Sequence, residues 1–593
     1  MQAKRAASRR RAEAAARRRS RRCGSDRKPS GGRGPAAQPP VRLGVSARGL
    51  APLLVLGLDG ATFEVIRPLA AAGRLPELAA WLREGAAAPL ASSVPPTSFP
   101  AWSSFLTGSD PGEHGIFDFT QKLPNAYRLR FVNASDRRGA SLFARVGAAG
   151  GRVLALGVPA THPPEPVRGL LVPGFDAPIS AGSEAQATSD PALYRALAAR
   201  CGPWMVRDLE EGAGAANWHE RAAARLAERV ERKTAFALEA LAELRRRGEA
   251  PDLCCVVFAE SDTVQHHFWR DFDPASPRHD PRASAARRAA VPAVYERLDA
   301  ACGALRRAFG PEASCVVLSD HGAGGASRRV VRLNARLREA GLLRRARRRQ
   351  APSRDLLARA ARDVLLQKLP PRLAERLFRR ARAAAARWES VARFGGFDWA
   401  RSTAFSEEAN TQPGVWINLR GREAEGCVAA SDYERVRDEV IGALLDWKLP
   451  DGSPVVRCAL RREEIHAGPL IERAPDVVVE LGLDGGYGLS LVATPWREEA
   501  PEALRTLDDT ELAGGRGRGL NGTHRPEGIW IGVGPAAALA PPARLAQVAP
   551  ALLQAMGVGP APSPEPPLPA PSAYTPEQEA RVAARLRALG YLE

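Results

Sequence analysis

Short apolar runs alternate with longer stretches of helical periodicity along most of this chain of 593 residues. The runs are apolar at consecutive positions, which is typical of parallel strands buried on both faces of a sheet. They cover residues 52–58, 152–158, 169–172, 253–258, 314–318, 415–419, 476–480 and 529–533. Helical patterns cover residues 63–84, 142–149, 220–247, 291–309, 432–445 and 543–556. This alternation predicts an open α/β sheet with helices on both faces.

The same pattern predicts five parts of the chain. Residues 49–334 form the first part of the α/β core, and residues 396–558 form its second part. Between them, residues 335–395 are rich in Arg, Ala and Leu with helical periodicity, so we expect a helical cap inserted into the core. Residues 559–593 read as a Pro-rich linker and a short C-terminal helix, and residues 1–48 as a basic tail.

The charge of the chain is concentrated in this tail. Residues 1–50 contain 15 Lys and Arg against two acidic residues, a net charge of +13 out of +19 for the whole chain. Like charges repel and little here could be buried, so we expect the tail to be disordered and solvated. Contact with nucleic acid or an anionic membrane through the tail is the alternative. The remaining net charge of +6 gives little reason to expect a nucleic-acid-binding fold.

Compartment and membrane association are constrained by the apolar runs. None approaches the roughly 20 residues that a membrane-spanning helix needs, and no signal peptide follows the basic tail. Cys254, Cys255 and Cys315 fall inside apolar runs, where we expect reduced cysteines in the core. These features predict a cytoplasmic protein without a transmembrane segment.

Acidic and imidazole side chains follow three of the predicted strands. Asp59 comes after the first strand, Asp262 and His266 after the run at 253–258, and Asp320 with His321 after the run at 314–318. The carboxyl ends of parallel strands meet at one edge of a sheet, so these side chains should converge there. His524 differs because it precedes its strand. Six carboxylate and imidazole ligands suit zinc or a similar cation and can hold two ions.

Several further segments carry a family resemblance. They are the ligand motifs together with residues 100–119, 158–169, 398–399, 421–426 and 474–480. Taken in order, these segments resemble the alkaline phosphatase superfamily, and most closely its bacterial branch of type I phosphodiesterase/nucleotide pyrophosphatase-like proteins. The resemblance implies a doubly wound, mostly parallel sheet with helices on both faces and an inserted cap.

The resemblance also implies roles for individual residues. One metal ion is expected to bind Asp59, Asp320, His321 and the oxygen of Ser98. The other is expected to bind the set Asp262, His266 and His524. Ser98 would be the nucleophile, with the adjacent Thr97 as the alternative, and the reaction would pass through a phosphoseryl intermediate. The two divalent ions would be Zn²⁺, with Mn²⁺ as the other option.

Two departures from relatives limit the substrate. Ala101 stands where some nucleotide pyrophosphatases carry an Asn that holds a phosphate oxygen, so nucleotide specificity does not carry over. Trp102 stands where sulfatases require Arg. We therefore expect hydrolysis of a small phosphodiester or pyrophosphate-type substrate. Phosphomonoesterase, or phosphotransferase and mutase activity, is the alternative within the superfamily. A nucleic-acid-binding protein that uses the basic tail is the alternative outside it.

Other polar and aromatic residues in these segments have structural explanations. We expect His114 to brace a turn and His267 to pack beside the site. Trp102 and Phe105 are expected in the core, and Asp398, Arg422, Glu423 and Asp476 in caps and turns.

Overall fold

The computed structural model describes residues 49–178, 184–204, 218–346, 394, 396–408, 413–495, 501–512, 520–559, 574–575, 578–579, 581–583 and 586. The predicted basic tail at 1–48 lies outside these ranges. So do most of the predicted cap at 335–395 and most of the predicted terminal segment at 559–593. No helix within the described ranges is long and apolar enough to cross a membrane.

The strands have the following bounds: β1 Leu53–Leu58, β2 Ala86–Ala91, β3 Thr120–Lys122, β4 Leu129–Phe131, β5 Val153–Val158, β6 Gly169–Pro173, β7 Leu253–Phe258, β8 Ser314–Leu318, β9 Gly322–Val331, β10 Ala404–Phe405, β11 Gly414–Ile417, β12 Val456–Arg461, β13 Val477–Leu481, β14 Leu483–Asp484, β15 Tyr487–Leu491, β16 Leu504–Thr506, β17 Gly522–Arg525 and β18 Glu527–Val533.

The α-helices have the following bounds: α1 Phe63–Ala71, α2 Pro76–Glu84, α3 Ser98–Thr107, α4 Pro111–His114, α5 Leu142–Ala148, α6 Pro191–Cys201, α7 Trp218–Arg246, α8 Glu260–Phe272, α9 Ala285–Arg288, α10 Ala290–Phe309, α11 Leu333–Glu339, α12 Tyr433–Leu445, α13 Arg462–Ile465 and α14 Val548–Met556. Residues 63–84, predicted as one helical stretch, form two helices. Gly73 has a left-handed backbone (φ 73°) between them, and Pro76 begins the second.

A seven-stranded sheet forms the centre of the molecule, in the order β2-β18-β8-β1-β7-β5-β6. Strands β8, β1, β7, β5 and β6 are parallel, whereas β18 is antiparallel to both β8 and β2. Strand β1 pairs with both of its neighbours in register, with Leu53 opposite Leu253 and Ser314. The predicted doubly wound, mostly parallel α/β sheet is therefore confirmed.

Helices cover both faces of this sheet. Successive side chains of a strand point to opposite faces, and those of β1 divide accordingly between two apolar clusters. Leu54, Leu56 and Leu58 pack with α1, α2, α7, α8 and α10, whereas Leu53 and Val55 pack with α3, α5 and α14. Cys254, Cys255 and Cys315 are buried in these clusters as free thiols, as predicted.

The apolar runs at 415–419 and 476–480 form strands outside the central sheet. Strands β11 and β13 belong to an antiparallel sheet with the order β10-β11-β13-β12, which has its own apolar cluster. Of the strands described within residues 396–558, only β18 belongs to the central sheet. Periodicity identified these segments as strands, but it carries no information about which sheet a strand joins.

A third sheet packs against the antiparallel one through apolar residues of β9 and β15. It has the order β14-β15-β9-β16, and β17 also pairs with β9. Strand β9 begins directly after His321, so this sheet extends from the carboxyl edge of the central one.

Asp476 organises the antiparallel sheet beside α12. Its buried carboxylate accepts hydrogen bonds from the backbone N–H of Ile417 (2.7 Å), from the Arg422 guanidinium (2.6 and 2.7 Å) and from the Tyr433 hydroxyl (2.6 Å). These donors join a strand, a turn and a helix. The expected turn role of Asp476 and Arg422 is therefore part of a larger network.

We expect Asp476→Ala to lower the free energy of unfolding by about 3–5 kcal/mol, because it removes the buried carboxylate that pairs with the buried Arg462 and leaves the Ile417 N–H without its acceptor. Urea denaturation followed by tryptophan fluorescence measures the change. Glu434→Ala is the control, since it removes an exposed carboxylate that pairs with Arg437 and Arg461 and should cost less than about 1 kcal/mol. Equal losses in the two variants would contradict this account.

Candidate active site

The carboxyl edge of the central sheet gathers the acidic and imidazole side chains. Asp59 directly follows β1, and Asp320 with His321 lies between β8 and β9. Asp262 and His266 lie on α8, which begins two residues after β7, on one face of the helix as the spacing predicted. His524 reaches the same place from β17, whose pairing with β9 puts it opposite Ala323. Ser98 is the first residue of α3.

Four of these side chains form a first cluster of ligand atoms. Ser98 Oγ lies 3.3 Å from Asp59 Oδ1 and 3.4 Å from His321 Nε2. His321 Nε2 lies 3.7 Å from Asp59 Oδ1 and 3.4 Å from Asp320 Oδ2. All four residues are fully buried. Within the described part of the chain, Asp320 Oδ2 accepts no hydrogen bond, which is costly for a buried carboxylate oxygen.

The other three side chains form a second cluster. Asp262 Oδ1 lies 3.2 Å from His266 Nε2 and 3.6 Å from His524 Nε2. The two imidazole Nε2 atoms are 2.9 Å apart. The clusters adjoin, because one ligand atom each of Asp59, Asp262 and His321 also lie within 4.8 Å of one another. Gly60 permits this approach, since a Cβ there would lie 2.7 Å from Asp262 Oδ1.

These separations fit a tetrahedral metal ion in each cluster. For zinc bonded to oxygen or nitrogen at about 2.0–2.1 Å, the edges of a tetrahedron are about 3.3–3.4 Å long. Neighbouring ligand atoms in the two clusters are 2.9–3.7 Å apart. The residues present therefore fit two divalent cations.

Backbone carbonyls orient all three imidazoles. The Nδ1 atoms lie 3.0 Å from Gly522 O in His266, 3.0 Å from Gly322 O in His321 and 2.8 Å from Pro96 O in His524. A carbonyl oxygen only accepts, so each Nδ1 donates its proton and each Nε2 presents a lone pair to the clusters. The facing lone pairs of His266 and His524 require a proton or a cation close by.

Electrostatics at the site reflect burial and crowding of charge. Burial, followed by the neighbouring carboxylates of Asp320 and Asp262, raises the pKa of Asp59 well above its ordinary value. Burial also raises the pKa of Asp320. For Asp262 burial acts in the same direction, but His266 and His524 outweigh it and the net pKa is lowered. Burial and the adjacent His321 lower the pKa of His524. Two neighbouring carboxyl groups with raised pKa values, Asp59 and Asp320, indicate a site that lacks positive charge.

The two candidate nucleophiles differ in position. Ser98 lies in the first turn of α3 with its hydroxyl against Asp59 and His321. Thr97 precedes the helix with an extended backbone (φ −137°, ψ 144°). The contacts of the Ser98 hydroxyl with Asp59 and His321 favour Ser98 over Thr97 as the nucleophile.

One contact at the site has no counterpart in the predictions. Trp102, predicted as a core residue, is buried in the core and also donates a hydrogen bond from Nε1 to Asp59 Oδ2 at 3.0 Å. Its spacing of four residues from Ser98 on a helix was the available signal, because such residues share a face.

Two further histidines, His114 and His267, have packing roles. His114 is buried, its Nδ1 accepts from the backbone N–H of Ile116 (3.2 Å), and its Nε2 therefore donates to Ser104 Oγ (3.0 Å). His267 packs edge-on against Trp218. Both side chains lie outside the two ligand clusters.

Comparisons with known proteins concern most of the chain. The model of the family described as type I phosphodiesterase / nucleotide pyrophosphatase matches residues 53–487. Among solved structures, phosphonoacetate hydrolase from Sinorhizobium meliloti 1021 in complex with phosphonoformate is similar at 17% identity and a TM-score of 0.48, over 88% of this chain and 100% of that one. Human ectonucleotide pyrophosphatase / phosphodiesterase 5 is similar at 11% identity and a TM-score of 0.43, over 86% and 96% of the two chains. No curated protein sequence matches.

The state of His114 generates a prediction about acid stability. Burial, with Arg137 and His466 nearby, lowers the pKa of His114 to about 3. The fold therefore holds a neutral ring, and its contribution is complete above the ordinary pKa of about 6.5. That contribution decreases as the pH falls from about 6.5 towards 3. In His114→Gln we expect a smaller loss of unfolding free energy between pH 7.5 and pH 5 than in the wild type.

Urea denaturation at the two pH values measures this loss. Ser104→Ala is the matched control, because it removes the hydrogen-bond partner and leaves the ring to titrate. It should lower stability and keep the acid dependence. An unchanged pH dependence in His114→Gln would show that other groups carry the effect.

Proposed function

Because the chain belongs to the type I phosphodiesterase / nucleotide pyrophosphatase family, and is thus a phosphoryl hydrolase of the alkaline phosphatase superfamily, we propose that Ser98 and two divalent metal ions perform its reaction. The proposed substrate is a small phosphodiester or pyrophosphate-type compound. The observation that carries the proposal is the buried serine hydroxyl in the first of two adjoining ligand clusters whose spacing suits two cations.

The metal ions would be held by the two clusters. Asp59, Asp320 and His321 with Ser98 Oγ would hold one ion, and the set Asp262, His266 and His524 the other. When bound, such ions lower the pKa of the serine hydroxyl and stabilise charge on the phosphoryl and leaving oxygens. Carboxylate and imidazole ligands at these separations suit zinc, and manganese is the other candidate.

Ser98 would act as the nucleophile in two balanced steps. In the first, Ser98 Oγ forms a bond to phosphorus, the bond from phosphorus to the leaving oxygen breaks, and the serine proton passes to solvent or to the leaving group. In the second, a water oxygen attacks phosphorus, the bond to Ser98 Oγ breaks, and a proton from that water restores the serine hydroxyl. The position of Ser98 at the start of the ten-residue helix α3 adds the positive end of the helix dipole near the phosphoryl oxygens.

The residues around Ser98 indicate the type of reaction more closely than they indicate the substrate. Ala101 supplies no side-chain donor for a phosphate oxygen, so recognition must depend on other groups. A phosphotransferase of the same superfamily would share the first step and use an alcohol in the second. Added methanol distinguishes them, because a methyl ester of the transferred phosphoryl group (a methyl phosphodiester when the substrate is a diester) forms only where an alcohol competes with water.

We expect the purified protein to contain about two zinc or manganese ions per chain, since the two clusters supply two ligand sets. Elemental analysis after extensive dialysis measures the content. Prolonged chelation should abolish turnover of bis-p-nitrophenyl phosphate, and added Zn²⁺ or Mn²⁺ should restore it. Turnover that survives complete removal of metal would contradict the proposal.

We expect Ser98→Ala to reduce this turnover by at least about 10³-fold, because the covalent step is lost. Its metal content should stay at one ion or more, since the carboxylate and imidazole ligands remain. Thr97→Ala is the matched control, as it removes the neighbouring hydroxyl and should retain turnover within about tenfold. The opposite result would assign the nucleophile to Thr97.

A further inference from the structure

The two carboxylate oxygens of Asp59 have different neighbours. Oδ1 faces Ser98 Oγ at 3.3 Å and His321 Nε2 at 3.7 Å, so it belongs to the first ligand cluster. Oδ2 accepts the hydrogen bond from Trp102 Nε1 at 3.0 Å. Asp59 and Trp102 are both fully buried. A carboxylate held in this way presents one oxygen to the cluster and has the other occupied.

We propose that Trp102 is a positioning residue that makes Asp59 a one-oxygen ligand of the metal centre, an inference that rests on the proposed function. The indole N–H suits this task because it can only donate and carries no charge at any ordinary pH. It therefore orients the carboxylate without competing with the cation for it. Partners of this kind, one step removed from the metal, set the orientation of the ligands.

The fold couples this contact to the nucleophile. Ser98 and Trp102 lie four residues apart on α3, so one helix face presents the hydroxyl and the indole together. The Phe105 ring packs against the indole in a T-shaped contact, with the ring centroids 5.4 Å apart, and limits its rotation. A shift of α3 would consequently move the nucleophile and the orientation of Asp59 at the same time.

Strand β1 leaves space for the indole. Gly57 precedes Asp59 by two residues and faces the same side of the sheet. A Cβ at Gly57 would lie 2.6 Å from Cη2 of the Trp102 ring and 2.8 Å from Cγ2 of Val257. Any larger residue at this position would displace the ring that holds Asp59.

Trp530 shows that burial of an indole does not by itself create such a contact. It is as fully buried as Trp102 and packs in the same apolar cluster. Its Nε1 has no hydrogen-bond partner in the part of the chain that the structure describes. The two residues therefore differ in the contact with a metal-ligand candidate and not in burial, which makes Trp530 a matched control.

The test compares Trp102→Phe with Trp530→Phe. Competition with a chromophoric chelator gives the two Zn²⁺ dissociation constants, and bis-p-nitrophenyl phosphate gives kcat and KM at limiting and at excess zinc. For Trp102→Phe we expect one Zn²⁺ to bind about 10–100-fold more weakly. Its kcat should fall at limiting zinc and recover substantially at excess zinc, with KM changed less than kcat. For Trp530→Phe we expect both affinities within about twofold of the wild type.

Unchanged zinc affinity in Trp102→Phe, or equal weakening in Trp530→Phe, would overturn the inference. If Trp102→Phe fails to fold, Gly57→Ala provides the second test, because this substitution keeps the indole but displaces it. Weaker binding of one Zn²⁺ to Gly57→Ala supports the inference. Unchanged Zn²⁺ affinity overturns it. A wild-type protein without bound metal and without turnover would instead overturn the proposed function, and the inference with it.

Discussion

Three backbone carbonyls turn three imidazoles towards one small buried volume. Pro96, Gly322 and Gly522 each accept the Nδ1 proton of a histidine, which leaves three Nε2 lone pairs facing the carboxylates of the site. These carbonyls come from the segment before α3, the start of β9 and the start of β17. The geometry of the site therefore depends on backbone positions in three distant parts of the chain, and a side-chain list alone would not define it.

The same volume concentrates three acidic groups, and only at Asp262 do the imidazoles of His266 and His524 outweigh the cost of burial. Asp59, Asp262 and Asp320 are buried together, and the raised pKa values of Asp59 and Asp320 reflect the cost of that arrangement. Such a cluster destabilises a fold unless cations neutralise it. We interpret the unfavourable electrostatics as the counterpart of the proposed metal binding: the free energy lost on folding is recovered when divalent ions occupy the two ligand sets.

The architecture explains why the cluster can be rigid. Five parallel strands align their carboxyl ends at one edge, and β1 pairs in register with β7 and β8. Asp59, the start of α8 and Asp320 are therefore held at neighbouring positions by backbone hydrogen bonds. Close packing at Gly57 and Gly60, where a Cβ would collide with Trp102 and Asp262, brings helices α3 and α8 against this edge. The antiparallel sheet around Asp476 is stabilised by its own network and its own apolar cluster.

The sequence by itself determined the type and place of most elements. Strands β7 and β8 have the predicted bounds, because consecutive apolar residues are required where a strand is buried on both faces. The ends of β1, β7 and β8 located Asp59, Asp262 and Asp320, while the resemblance to a family supplied the assignment of Ser98 and His524 to the same site. Only the tertiary structure decided which strands share a sheet, that β11 and β13 lie outside the central one, and that Trp102 contacts Asp59. These outcomes depend on contacts between residues far apart in the chain, and local periodicity does not record them.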